Sequence, residues 1–298
     1  MRHSAGRSGS AHRSVGRSSL ERLNVIVPSL RRERSLWNAG VGRIAGVDEV
    51  GVAPTSGAVV AAAVVMSAGC RRIPGVRDSK TLSAGQRERL YPIIRRRAAA
   101  VGVGAASVAE IDRLNIYHAT HLAMRRAIAR LGGHDHVLVD GNRIAGFEAH
   151  VGPYTAIVDG DAHCYTIACA SVVAKVIRDR MMTRLAARYP QYGWERNSGY
   201  ATREHRAAMR AYGLTPFHRR SFPAVHATIA GEQQVLFAFD PALLTLMDEE
   251  LAEAALAEAA LAEADTAVGT PVGPGATALD PDAAPHPEFG PQLEFAGR

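Results

Sequence analysis

Apolar residues between positions 44 and 222 change their spacing repeatedly, from the unbroken or alternating runs of strands to the three-and-four spacing of helices. Residues 44–49 and 57–66 are short apolar runs, rich in Val and punctuated by Gly and Pro, that predict two paired strands joined by a short turn; residues 101–108 predict a third. Residues 83–97 open on a capping serine and keep helical spacing, and residues 109–131 predict one longer amphipathic helix stopped by Gly132 and Gly133. Residues 136–139 form a further apolar run ending at Asp140, residues 155–158 another, and residues 167–188 a helix of small side chains. Interleaved in this order, these elements predict an α/β fold, a mixed sheet covered by helices, with a helical C-terminal part to about Tyr212.

Both ends of the chain lose this pattern. The opening is rich in Arg, Ser and Gly, and with few apolar residues before Leu23 it cannot repay its ordering entropy up to about Ser29. Towards the other end Leu251, Leu256 and Leu261 recur every five residues, each turned by about 140° from the last, so no apolar stripe forms. A semi-rigid helical spacer is expected there, not a coiled coil. The expected division is a disordered basic tail at 1–35, the globular domain at 36–226, a segment with the Ala/Glu-rich spacer at 227–265, and a disordered acidic tail at 266–298.

Composition adds limits. At 298 residues, 47% hydrophobic and 21% charged, the chain is neither collagen-like nor wholly disordered. Its longest apolar run, 58–66, is far too short to cross a bilayer, and no apolar stretch of a secretory signal follows the basic start, so a cytoplasmic protein without membrane contact is expected. Cys70, Cys164 and Cys169 lack the number and spacing of a structural zinc site and read as reduced thiols. Charge is uneven: residues 1–35 hold eight arginines against two glutamates, and residues 245–298 hold eleven carboxylates against Arg298. The region between is therefore strongly basic, which suits a polyanion such as nucleic acid, although many ordinary proteins are basic too. Lys80 and Lys175 are the only lysines in an arginine-dominated chain.

Asp48 and Glu49 are adjacent acids in an apolar strand, Asp140 ends a second, and Asp161 follows a third. Buried singly, such groups are costly. Gathered at one sheet edge they repel one another unless hard cations neutralise them, and oxygen ligands suit Mg²⁺ or Mn²⁺. Two such ions are a general device for phosphodiester hydrolysis. Neighbouring strand residues point to opposite faces, so Asp48 and Glu49 share a site only if Gly51 or a bulge turns the strand. Scattered, salt-bridging acids are the plainer alternative on spacing alone.

From Ile44 to Phe222 a series of separate blocks, in order, resembles bacterial ribonuclease HII. The blocks are Ala45-Gly46-Val47-Asp48-Glu49-Val50-Gly51, Asp78-Ser79-Lys80, Glu110-Ile111-Asp112 with Leu114-Asn115-Ile116, and Val139-Asp140-Gly141-Asn142-Arg143. Gly160-Asp161, Ala170-Ser171, Ala174-Lys175-Val176 with Arg178-Asp179, Gly199-Tyr200 and His218-Arg219-Arg220-Ser221-Phe222 complete them. The resemblance implies an RNase H-like fold and an endonuclease that cuts RNA paired with DNA, leaving a 5′-phosphate and a 3′-hydroxyl. Carried over position by position, it implies Asp48, Glu49, Asp140 and Asp161 as catalytic, metal-binding carboxylates for Mn²⁺ or Mg²⁺. Tyr200 matches a tyrosine that stacks near the RNA-to-DNA junction. Gly51, Lys80, Lys175 and Arg178 fall in blocks that border the substrate; for Lys175 and Arg178, ion pairing with Asp179 on the helix surface is the bland alternative.

The departures from the family's pattern are as informative. The Gly-Arg-Gly expected after the acidic pair reads Gly51-Val52-Ala53, which removes a guanidinium and puts Ala where a positive φ would be disfavoured. Asp159 stands where a lysine precedes Gly-Asp, as an extra negative charge or substitute ligand, and Ser198 where one precedes Gly-Tyr. Weaker binding and blurred junction specificity are expected, with metal chemistry intact.

Other constellations carry less. His134-Asp135-His136 and the pair His118 and His121 look like metal clasps, but solvated polarity and packing are the plainer readings. His218-Arg219-Arg220 suits phosphates, or else Arg219 or Arg220 clamps the C-terminal helix through carboxylates. No phosphate-binding Gly-rich loop or nucleophile elbow occurs. Gln233-Gln234-Val235-Leu236-Phe237 and Gln292-Leu293-Glu294-Phe295 resemble short peptides that dock on the replication sliding clamp. The resulting expectation is a monomeric, divalent-metal endoribonuclease acting on RNA/DNA hybrids. Its rivals are an enzyme loosened to cut anywhere along a ribonucleotide run, and a paralogue that binds hybrid or branched nucleic acid without turnover.

Overall fold

A computed structural model describes residues 26–229. In chain order these form α1 (Arg31–Asn38), β1 (Ile44–Val50), β2 (Val59–Met66), α2 (Ala84–Arg97), β3 (Ala98–Ala106), α3 (Val108–Leu114), α4 (Ile116–Ala129), β4 (His136–Asp140), α5 (Glu148–Val151) and β5 (Tyr154–Ile157). Then follow α6 (Gly160–His163), α7 (Tyr165–Arg188), α8 (Trp194–Asn197), α9 (Arg203–Tyr212) and α10 (Pro223–Ile229). The five strands make one mixed sheet, order β3-β2-β1-β4-β5, antiparallel at β3/β2 and β2/β1 and parallel at β1/β4 and β4/β5.

The sheet is covered on both faces, which is why β2 reads as an unbroken apolar run. Val60, Ala62, Val64 and Met66 pack in the core shared with α2 and α7, whereas Val59, Ala61, Ala63 and Val65 pack in the core shared with α4. Two close approaches depend on missing side chains. A Cβ on Gly46 of β1 would lie 2.3 Å from the Thr166 carbonyl carbon of α7, and one on Gly104 of β3 would lie 2.2 Å from the Ala123 oxygen of α4.

The third strand runs over Ala98–Ala106 rather than 101–108, because Ser107 already caps α3, and two further boundaries differ more consequentially from expectation. The helix expected over 109–131 is two helices, α3 and α4, broken at Asn115, whose φ of +65° ends one and whose side chain caps the next by accepting from His118 N. The tail expected to run to residue 35 ends earlier, because α1 is already folded into the domain. Leu30 is buried, and the buried Glu33 accepts from Thr166 N at 2.8 Å and Thr166 Oγ1 at 3.0 Å, capping α7. A carboxylate at a helix N-terminus meets orphan N–H donors and the positive end of the dipole. Amid so many arginines this single acid carried no recognisable signal. The segments at 227–265 and 266–298, apart from the end of α10, and most of 1–35 lie outside the described residues.

Candidate active site

Strand register assembles the site. β1 and β4 run parallel with Val47 opposite Val139, so the next residue on each, Asp48 and Asp140, come side by side. Ala45 and Val47 point into the α4 core and Gly46 against α7, so alternation turns Asp48 towards α7. Val137 and Val139 share the α4 core while Leu138 packs with Ile167 of α7, which turns Asp140 the same way. The third acid arrives on α6, tied down by the Gly160 N–H donating to Asp140 Oδ1 at 2.6 Å. One carboxylate oxygen from each of Asp48, Asp140 and Asp161 lies within 4.8 Å of the others.

Burial and crowding raise Asp48 and Asp161 above the usual carboxylate range. Burial, then the charges of Glu49 and Asp140, push the Asp48 carboxyl well up, against a hydrogen bond with Ser171. Burial and the Asp140 charge raise Asp161 to about 6. Glu49 rises to about 7 through burial and the same Asp140 charge. Lys80 sits 3.7 Å from Asp161 with its side chain 80% exposed, too solvated to neutralise three carboxylates. A compact set of acceptor-only groups that repel one another fits hard divalent cations, and Asp48, Asp140 and Asp161 are the residues that would hold them.

Glu49 stands apart from this trio. No bulge turns β1 at that point: Asp48 pairs with Ala62 and Glu49 with Ala61 in regular register. Glu49 is close enough to feel Asp140, Asp161 and Lys80 without entering the tight set. Asp159 stays outside as well. It is exposed at the start of α6 with φ +51°, a left-handed conformation that Asp tolerates.

The remaining expected residues divide. Lys80 borders the trio on a turn capped by Asp78, and Tyr200 is 51% exposed on the loop before α9. Lys175 is committed to an ion pair with Asp179 at 2.5 Å, which Arg87 shares at 3.2 Å. Arg178 is neither at the surface nor paired with Asp179: it is 1% exposed and donates to the carbonyls of Ser56, Ala58 and Ser198. Arg219 does not clamp the C-terminal helix through carboxylates. It is buried and donates to the carbonyls of Gly51, Val52, Pro54 and Gly57, while the backbone N–H groups of Arg220 and Ser221 donate to Asp112. Gly51 has φ +91°, and a Cβ there would lie 2.1 Å from Arg178 Nε. Ala53 has no positive φ, so the strain expected of it does not arise.

Sequence reasoning missed Ser171 as a partner of Asp48, a residue visible only as one small side chain among many on α7. It also missed a buried chain of rings. Thr215 N–H donates to His218 Nδ1, His218 and Trp194 meet His205 Nε2, and His205 Nδ1 meets the Tyr200 carbonyl at 2.8 Å. Both histidines are shifted towards the neutral form by burial, His218 to about 3. His134 and His136 bond the Val151 carbonyl and Thr155, and His121 packs against Tyr117 and Phe147; among the described residues these histidines join no group of three potential metal ligands.

The chain is similar to known proteins. The profile of the family described as Ribonuclease HII matches residues 45–225. A ribonuclease HII of Thermosynechococcus vestitus is 56% identical over 196 residues, 65% of this chain and 90% of that one. A ribonuclease HII of Ruegeria pomeroyi is 51% identical over 208 residues, 69% and 86% of the two chains. Among solved structures, ribonuclease H2 of Pyrococcus horikoshii superposes with a TM-score of 0.54 at 26% identity, covering 62% of this chain and 96% of the other. The PCNA:RNase HII complex of Archaeoglobus fulgidus gives 0.52 at 27% identity, covering 60% and 94%.

Proposed function

This chain belongs to the ribonuclease HII family, and from that premise we propose how its own residues perform the reaction. It is an endoribonuclease that hydrolyses the RNA strand of RNA/DNA hybrids. The observation that carries the reading is the carboxylate trio within 4.8 Å at the ends of β1 and β4.

Asp48, Asp140 and Asp161 would hold divalent ions, Mg²⁺ or Mn²⁺ by the hardness of their oxygens, with Glu49 at the rim. Bound there, such ions supply an activated water and stabilise the departing oxygen, and the products carry a 5′-phosphate and a 3′-hydroxyl. Ser171 steadies the Asp48 carboxylate, and Gly160 N–H steadies that of Asp140. Lys80, 80% exposed and paired only at 3.7 Å with Asp161, meets a phosphate of the bound strand, and the exposed ring of Tyr200 offers a stacking face for a base. A single ribonucleotide embedded in DNA is accepted with blurred preference, because Val52, 38% exposed beside the site, offers no guanidinium.

The test uses two labelled duplexes, one with a single ribonucleotide and one a continuous RNA/DNA hybrid, with Mn²⁺ or Mg²⁺ and Asp48→Asn as control. Cleavage of both, stronger on the continuous hybrid and absent in the control, supports the reading; no cleavage of either points to a hybrid-binding paralogue. Docking on a sliding clamp through residues 233–237 or 292–295 is a further proposal. Those residues lie outside the described ones, and its support is the apolar motif together with the relative solved with PCNA. Unchanged clamp pull-down after Leu236→Ala and Phe237→Ala disposes of the first segment.

A further inference from the structure

Arg178 and Arg219 are 1% and 0% exposed, yet neither forms an ion pair among the described residues. Burial pulls both guanidiniums down, to about 10 and about 9, and each positive charge lies close enough for Arg178 to press on Arg219. Burying two cations without a counter-charge is costly, and only their hydrogen bonds to main-chain carbonyls offset it. Their hydrogen bonds go to one segment. Arg219 donates to Gly57 O at 2.9 Å, Val52 O at 2.9 Å, Pro54 O at 2.6 Å and Gly51 O at 2.6 Å. Arg178 donates to Ala58 O at 3.2 Å and Ser56 O at 3.1 Å, and reaches the neighbouring loop at Ser198 O, 3.1 Å.

The carbonyls of the loop between β1 and β2 are thus drawn inward by two buried cations. Its amides behave differently. Thr55 N–H donates to Gly199 O and Gly57 N–H to Phe217 O, but those of Gly51, Val52 and Ala53 find no acceptor among the described residues. These three follow directly on the strand that carries Asp48 and Glu49. Consecutive free amides over a buried positive charge form a concavity for anionic oxygens.

We propose that Arg178 and Arg219 are positioning residues for substrate. They pin residues 51–58 so that the amides of Gly51, Val52 and Ala53 face the bound strand as donors to its backbone oxygens, and they supply from beneath the positive field that Val52 cannot. The inference rests on the reading of this loop as substrate-facing. Lysine in either place keeps one charge but not the planar fork, and so cannot hold three or four carbonyls at once.

The experiment compares wild type with Arg219→Lys and Arg178→Lys on the continuous hybrid, measuring thermal midpoint, KM, kcat and the salt dependence of binding. Expected for each folded variant are a KM raised about tenfold with kcat within about threefold, and an unchanged salt slope because neither guanidinium touches phosphate. If Arg219→Lys does not fold, Arg178→Lys decides. An unchanged KM, a loss confined to kcat, or, in the charge-removing variant Arg178→Gln, a slope shallower by about 0.9, the mark of a direct phosphate contact, overturns the proposal. Wild type failing to cut either duplex refutes the nuclease reading and the inference with it, whereas wild type cutting and the variants matching it refutes the inference alone.

Discussion

The carboxylate trio and the loop at 51–58 are neighbours in the chain and are built on opposite principles. In the trio, side chains do the work and the backbone merely delivers them: two parallel strands in fixed register place Asp48 beside Asp140, and α6 adds Asp161. In the loop the side chains at 52 and 53 are inert, and the backbone faces the groove because two buried arginines hold it from behind. Chemistry written in side chains fails on one substitution at the site. Grip written in backbone survives a substitution at the site and fails on one beneath it.

The trio is the sharper place to break. Asp140→Asn is expected to lower kcat by about a thousandfold or more, since metal chemistry and its ligands act as a unit, while the fold persists; kcat on the hybrid and circular dichroism check both. Gly46→Ala breaks the scaffold instead. Its Cβ would meet the α7 backbone at 2.3 Å, neither β1 nor α7 can yield, and a loss of about 3 kcal/mol or more is expected in a urea melt. A loop variant sharpens the contrast from the other side: Val52→Arg adds an exposed guanidinium and should tighten hybrid binding about three- to tenfold, with a steeper salt slope and little change in kcat.

The pH dependence separates the regions too. Glu49 and Asp161 keep their protons to about 7 and about 6, so between the ordinary carboxylate range and neutrality the folded chain binds more protons than the unfolded one. Stability of the metal-free protein therefore falls as pH rises through that window, and is fully present below it. Thermal melts at pH 5 and pH 8 should show a lower midpoint at the higher pH, largely restored by Mg²⁺. Smallest of all, Lys80→Ala is expected to raise KM by about two- to fivefold, because its exposed ammonium is well screened.

Much of this was legible in the chain. The alternation of Ala45, Gly46, Val47 and Asp48 and the apolar run into Asp140 state both strands and the face each acid takes, because strand parity is a local property. Ser83 announced the cap of α2 equally clearly. The break at Asn115 was hidden because apolar spacing continues across it and only a φ of +65° interrupts the helix. The roles of Arg178, Arg219 and Glu33 were hidden for another reason. A charged residue reads as surface until its partners are known, and here all but Ser198 of those partners lie more than a hundred residues away, most of them main-chain atoms without sequence identity.

The division between chemistry and grip is tested most directly by the affinity of Asp48→Asn for the continuous hybrid in EDTA, set beside its turnover with Mg²⁺. The account predicts that turnover is abolished while Kd stays within about twofold of the wild-type value, since the Asp48 carboxyl, pushed well up by burial and its neighbours, takes no part in holding the strand. A Kd weakened in step with the lost turnover would contradict it, and would mean that the carboxylates rather than the loop hold the substrate.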